Sequence, residues 1–257
     1  MSIELTAIPG IPLIQPGDDL PGILLHAARS AGLDFQSGDV LVVAQKIVSK
    51  AEGRLVDLKT VIPSQQAEAL ASYSRKDPRL VELILSESNE VLRVRPDVII
   101  VEHRGGFVCA NAGIDQSNSA APAGSNSPGP WALLLPEDSD RSAQQLRAAI
   151  GDNTGAEIGV IISDSHGRAW RLGTVGVAIG VAGLHPLSDL RGQPDLAGRP
   201  LQTTDVGTAD ELAAAAGLLM GQAAEGTPAV IVRGASFLKG EGRLTELLRP
   251  KEKDLFR

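Results

Sequence analysis

Short runs of apolar residues recur along this chain, bounded by turn formers and separated by stretches whose apolar positions return every three or four residues. The runs at residues 39–45 (DVLVVAQ), 97–103 (DVIIVEH), 131–135, 157–163 (EIGVIIS) and 228–233 (PAVIVR) predict strands. Helical spacing predicts helices over residues 19–31, 65–74, 79–86, 142–151 and 209–222, the last with an Ala/Leu face after a Thr/Asp start. Strands alternating with helices predict a mixed α/β, or α+β, fold. Several predicted strands end on a polar or charged residue, a common place for a site to begin.

Residues 116–130 (QSNSAAPAGSNSPGP) are the one low-complexity stretch, and their Ser, Pro, Gly and Asn content predicts a mobile loop. No internal repeat is present. Gly176, Gly180 and Gly183 superficially suggest a dinucleotide loop, but the spacing is G-x-x-x-G-x-x-G inside an apolar, strand-like run. Tight backbone packing explains them better.

Composition narrows the functional classes. With 257 residues, 43% hydrophobic and 21% charged, the chain can bury a substantial core as one large domain or two small lobes. Aromatic residues are only 3%, so Leu, Val, Ile and Ala must build that core. No apolar stretch is long enough for a membrane helix and the start lacks a secretory-signal pattern, so a cytoplasmic enzyme is expected, with no membrane partner. A net charge of −7 argues against nonspecific nucleic-acid binding. Phosphate chemistry would have to be local and metal-assisted. The single cysteine, Cys109, has no intrachain disulfide partner and reads as a small core residue.

No G-x-x-x-x-G-K-[ST] loop occurs, which argues against a P-loop. The segment 159–168 (GVIISDSHGR) instead runs from a buried-type strand into a polar cluster. Asp164 supplies an anionic oxygen and Ser165 a neutral one, suited to Mg²⁺ or Mn²⁺; Gly167 lets the backbone turn close to a ligand, and Arg168 can face phosphate. An Asp/Ser turn capping the next element accounts for the same residues. In the second cluster, 111–118 (NAGIDQSN), Asp115 is a candidate second carboxylate and Asn118 a candidate nucleotide contact, although Asn and Gly are ordinary turn formers. Lys50, after a strand and before a Gly turn, can neutralise phosphate or simply be solvated. Residues 9–14 form a rigid turn and apolar edge, and residues 218–228 a glycine-containing helix-to-strand connection with Gln222 and Glu225 as its polar candidates. His166 lies near the proposed metal site, where a structural role is equally economical.

Taken together, I-P-L-I then G-D-D-L, G-D-V-L-V-V, S-K-A-E-G-R, N-A-G-I-D-x-S-N, I-S-D-S-H-G-R, L-L-M-G and P-A-V-I-V-R-G occur in an order that closely resembles the coenzyme F420-0 γ-glutamyl ligases. The resemblance spans nearly the whole chain. It implies GTP-dependent ligation of L-glutamate, by its γ-carboxylate chain chemistry, onto F420-0, giving F420-1 and longer γ-glutamyl tails. The carboxylate of the lactyl group would be activated as an acyl phosphate and attacked by the glutamate amine, releasing GDP and phosphate.

Carried over by position, the resemblance implies guanine-nucleotide contacts at Ile11, Pro12, Leu13, Ile14, Gln45, Lys50, Asn118, Met220, Gly221, Gln222, Ala223, Ala224, Glu225, Gly226 and Thr227. Divalent metal (Mn²⁺ or Mg²⁺, with K⁺ as a further cation) would be held by Asp115, Asp164, Ser165 and Gln222, and catalysis served by Lys50, Asp164 and Arg168. Two positions depart from the pattern. Ser165 stands where many members have threonine, keeping the hydroxyl, and Gln222 where some have an acidic ligand, so that either Glu225 compensates the missing charge or that metal position is weakened. The resemblance also implies a two-lobed α+β ligase fold in an intertwined homodimer, with residues 1–257 as one catalytic unit. The flavin-binding reductase-like domain that follows in certain bacterial members is absent from this chain, which is expected to be a stand-alone ligase or a fragment of a fused one. The chemistry of the same residues also admits a nucleotide-binding module without ligase activity and a metal-dependent phosphohydrolase.

Overall fold

The computed structural model describes residues 2–117, 119 and 121–255. Strand β1 (Glu4–Ala7) leads to helix α1 (Leu20–Ser30), strand β2 (Val40–Ala44) and helix α2 (Gln45–Ala51). Next come β3 (Leu55–Asp57), helices α3 (Gln65–Ser74) and α4 (Pro78–Ser86), strands β4 (Ser88–Arg95), β5 (Val98–His103) and β6 (Val108–Ala110), and β7 (Trp131–Leu133). Helix α5 (Ser139–Thr154) is followed by β8 (Gly159–Arg168), β9 (Arg171–Ala182), β10 (Ser188–Asp189), β11 (Asp205–Val206), α6 (Thr208–Met220) and β12 (Ala229–Arg233). The fold is mixed α/β, as predicted.

The central sheet has the order β1-β12-β2-β8-β9. Only β2 and β8 run parallel; the other neighbours are antiparallel. Because successive side chains of a strand point to opposite faces, the apolar runs serve two cores at once. Leu41, Val43, Val160, Ile162 and Ile231 join the cluster containing Leu24 of α1 and Leu146 of α5. Val40, Val42, Ile161, Val230 and Val232 join Leu212 and Ala213 of α6 on the other side. Helix α6 meets the sheet through Ala209, Leu212, Ala213 and Ala216, the i, i+3, i+4, i+7 stripe of an amphipathic helix.

A third core lies in the long insertion between β2 and β8. There Ala67 and Ala71 of α3 and Leu80, Val81 and Ile84 of α4 pack on Ile99 and Val101 of β5, in the β4-β5-β6 sheet. Helix starts carry local signals: Ser64 Oγ accepts from Ala67 N–H at 3.2 Å, and Asp77 precedes Pro78 and accepts from Arg79 N–H at 2.9 Å.

Several boundaries differ from expectation. Residues 45–51 form a helix rather than a strand end and turn, giving Lys46 and Lys50 one helical turn of separation. The strand expected to end at Ser163 continues to Arg168, because β9 pairs with it throughout: Asp164 opposes Val177, Ser165 opposes Gly176 and His166 opposes Val175. Asp164 to Arg168 is therefore strand, and neither a capping turn nor a turn at Gly167. Helix α6 stops at Met220, where Gly221 takes a positive φ of 68°. Tight packing of the glycines is borne out: a Cβ at Gly176 would stand 2.5 Å from Ala213 O, and one at Gly180 would collide with Ser139.

Candidate functional site

The end of β8 carries the first cluster. Burial along the strand changes at Asp164, where the chain leaves the central core, and alternation puts Asp164 and His166 on one face. Their side chains meet, His166 Nε2 to Asp164 Oδ2, at 3.0 Å. The His166 ring lies 5.6 Å from that of Phe107, which in turn stacks on His103 at 4.8 Å. Ser163, one residue before Asp164, directs its hydroxyl at Met220 Sδ at 3.9 Å and so connects β8 with the start of the 220–227 segment.

Electrostatics tie further residues to this cluster. Burial and then the charges of Arg54, His166 and Arg104 lower His103 to about 4, against the opposing pull of Asp164. His103 is accordingly neutral near pH 7, so its 3.9 Å approach to Glu87 is not an ion pair there. Its Nδ1 accepts from Gly105 N–H at 2.9 Å, which leaves the proton on Nε2, and that atom has no hydrogen-bond partner among the described residues. Burial, then the negative charge of Asp164, pushes the Cys109 thiol up to about 12. Arg54 pairs with the buried Glu87 at 2.8 Å and donates through Nε to Leu135 O.

A second cluster forms where α2 meets the segment after β6. Lys46 Nζ lies 2.5 Å from Asp115 Oδ2 and donates to Ser117 Oγ at 3.0 Å. Ser117 N–H donates to the other carboxylate oxygen, Oδ1, at 2.6 Å. Burial works to raise the Asp115 carboxyl, but the hydrogen bonds from Lys46 and Ser117 outweigh it and hold it below the usual carboxylate range. Lys50 is half-buried; burial, then the Lys46 charge, lowers it from the ordinary lysine value, against the attraction of Asp115.

The remaining expected residues are dispersed around these clusters. Ile14 is buried while Pro12 and Leu13 are exposed, in the connection between β1 and α1. Gln45 is buried, with its Oε1 accepting from Ser49 at 2.9 Å. Gln222, Ala223, Ala224, Glu225 and Gly226 are exposed. Glu225 accepts from Ala223 N–H at 2.8 Å and is thus engaged within its own loop, and Thr227 donates to Leu219 O at 2.7 Å. Ser165 is exposed, and Arg168 donates to Gly173 O at 3.4 Å. Asn118 lies outside the described residues. Among the described residues, no three of His, Cys, Asp and Glu converge as a metal set.

Sequence reasoning missed Lys46, His103, Phe107, Arg54 and Glu87. For Lys46 a signal was present, its i, i+4 spacing from Lys50, which becomes legible once residues 45–51 are seen as helical. The others come together only through the tertiary fold.

This is a mixed α/β fold in which the Asp115 carboxylate pairs with Lys46, one helical turn from Lys50, and the Asp164 carboxylate lies within β8 against His166. Half-buried lysines of this kind make a class of site suited to handling anionic groups. Comparison with known proteins narrows the class. Residues 10–234 match the family model described as F420-0:Gamma-glutamyl ligase. The chain is 49% identical over 259 residues to the coenzyme F420:L-glutamate ligase of Methanothermobacter thermautotrophicus, covering 100% of both chains. It is 45% identical to the ligase of that name from Methanopyrus kandleri, covering 100% of this chain and 98% of the relative, and 43% identical to that of Archaeoglobus fulgidus, covering 100% and 97%. The chain belongs to the F420-0:γ-glutamyl ligase family.

Proposed function

We propose that this chain ligates L-glutamate to coenzyme F420-0, using GTP to activate the coenzyme's carboxylate as an acyl phosphate and releasing GDP and phosphate. The observation that carries the reaction class is the full-length similarity to relatives named coenzyme F420:L-glutamate ligase. Activation is chemically necessary because a free carboxylate offers an amine no good leaving group. The tail begins as F420-1, and further additions lengthen it.

Asp115 and Asp164 carry the carboxylate oxygens that a divalent cation would take. Asp115 Oδ2 already attracts a cation, the Lys46 ammonium at 2.5 Å, and Asp164 keeps oxygen lone pairs beyond its contact with His166. Asp115, Asp164 and Ser165 would hold Mn²⁺ or Mg²⁺, with K⁺ as an additional cation. The bound cation would supply Lewis-acid charge to the transferring phosphoryl group. Gln222 fits less well, being exposed and neutral, and Glu225 is committed to its own loop.

This chain's own residues then have distinct tasks. His166 orients the Asp164 carboxylate. Lys50, with Arg168, presents cationic charge to phosphate oxygens, and partial burial strengthens the Lys50 interaction by lowering the local dielectric. Residues 11–14 and 220–227, with Gln45 and Asn118, receive the guanine nucleotide. We further infer a two-lobed subunit, with the β4-β5-β6 core as the smaller lobe, an intertwined homodimer, and a cytoplasmic enzyme. The absence among the described residues of any helix long and apolar enough to cross a membrane is consistent with that placement.

The test is mass spectrometry of the purified chain incubated with F420-0, GTP, L-glutamate and Mn²⁺. A coenzyme product heavier by a glutamyl group, dependent on GTP, is expected. GTP binding with no adduct overturns the ligase reading, and phosphate release requiring neither coenzyme nor glutamate points to a phosphohydrolase instead.

A further inference from the structure

The Asp115 carboxylate is closed on both oxygens. Lys46 Nζ occupies Oδ2 at 2.5 Å, Ser117 N–H occupies Oδ1 at 2.6 Å, and the same ammonium bridges to Ser117 Oγ at 3.0 Å. Lys46 and Asp115 come from distant parts of the chain, and both side chains are partly shielded, at 32% and 27% exposure. Lys50 stands one helical turn from Lys46 and also feels Asp115. Lys46 therefore neutralises the Asp115 carboxylate directly, and the Lys50 ammonium is a second positive charge within its field.

A cation approaching Asp115 must compete with Lys46 for Oδ2. A bare divalent ion would also meet the repulsion of the Lys46 and Lys50 ammonium groups around a partly desolvated carboxylate, where charge is poorly screened. An oligophosphate reverses this balance because its oxygens can receive the released ammonium while they ligate the metal.

Resting on the reading of Asp115 as a metal ligand, we propose that Lys46 is the resident counter-cation of Asp115, and that a divalent cation gains this carboxylate together with an oligophosphate anion to which Lys46 transfers. Lys46 is thereby a positioning residue that couples metal binding to phosphate binding. It differs from Lys50 in holding the Asp115 carboxylate directly, at 2.5 Å.

The experiment is calorimetric titration of Mn²⁺ into the full chain, with and without inorganic tripolyphosphate, for the unaltered protein and for Lys46→Met, Lys46→Arg and Asp115→Asn. The unaltered protein should bind Mn²⁺ weakly alone and at least about tenfold more tightly with tripolyphosphate. Lys46→Met should bind Mn²⁺ alone about tenfold more tightly and lose most of the enhancement, while Lys46→Arg, which keeps the charge, should retain it. Lys46 is a partly exposed helix residue, and circular dichroism verifies that each variant is folded. Unchanged Mn²⁺ affinity in Lys46→Met, with affinity lost in Asp115→Asn, overturns the exchange but leaves Asp115 as a ligand. Unchanged affinity in both variants overturns the exchange and the ligand reading together.

Discussion

Asp140 and Asp210 lie on helices packed against opposite faces of the central sheet, and each accepts a backbone N–H from the same edge strand, β9. Asp140 takes Val181 N–H at 2.8 Å and Asp210 takes Ala178 N–H at 2.9 Å. The sheet ends at β9, so these carboxylates cap donors that an edge strand would otherwise leave open. Asp140 also accepts from Leu244 N–H at 3.2 Å, tying the C-terminal segment to the same point. Asp140→Ala and Asp210→Ala should each destabilise the fold by about 1–3 kcal/mol through unsatisfied buried donors, read by chemical denaturation. Asp140→Asn, which keeps an acceptor, should cost less; an equal loss would argue that charge rather than hydrogen bonding is responsible.

The glycines of β9 set how closely both helices approach. An added methyl at Gly176 would meet Ala213 O of α6 at 2.5 Å, and one at Gly180 would meet the backbone of Ser139 at the start of α5. Gly176→Ala and Gly180→Ala should therefore lower stability by roughly 1–3 kcal/mol through overpacking. Gly167→Ala is the internal comparison, because its added Cβ would have open space and should change the melting temperature little.

Acid should act on this protein partly through His103. The unfolded chain takes up that proton near 6.5, while the folded chain withholds it until about 4. Between those values the native state binds fewer protons, so stability falls as pH falls through the window, by up to roughly 3 kcal/mol. His103→Asn retains an acceptor for Gly105 N–H and removes the titration. Denaturation curves between pH 7 and 4 should be flatter for the variant, and an unchanged slope would assign the acid sensitivity to other groups.

Cys109 should be inert in the native protein. Its thiol is buried and pushed up to about 12 by that burial and by Asp164. At pH 8 the thiolate population is then roughly 1,000-fold below that of an ordinary cysteine. Labelling by a thiol reagent should require denaturant, and rapid stoichiometric labelling of native protein would contradict the burial.

For the proposed reaction, Asp164→Ala should slow glutamate addition at least about 100-fold, a barrier change of roughly 2.7 kcal/mol. Lys50→Met should raise the KM for GTP about tenfold if its charge meets phosphate equally in the ground and transition states. Initial rates with mass-spectrometric product detection measure both. Near-normal turnover by folded Asp164→Ala would remove Asp164 from the catalytic residues.

Much of the secondary structure was legible locally. Helix α3 coincides with the predicted residues 65–74, and the apolar runs at 39–45, 97–103, 157–163 and 228–233 each fall on a strand, because apolar periodicity and capping residues act over a few neighbours. Local patterns failed where a remote strand was needed and where an apolar run passed from strand straight into helix. Residues 164–168 look like a polar turn until β9 supplies hydrogen bonds along their whole length, and 45–51 look like a strand end until the helical turn is present to bring Ser49 to Gln45.

The sequence by itself determined the apolar strands, the glycines needed for close approach, and the ordered motifs that identify the family. Only the tertiary structure decided which charges meet. It brought Lys46 onto Asp115, Phe107 between His103 and His166, and Met220 beside Ser163. The physical reason is that a run's period records its own backbone geometry, whereas an ion pair or a buried titratable group depends on partners and burial supplied by distant parts of the chain.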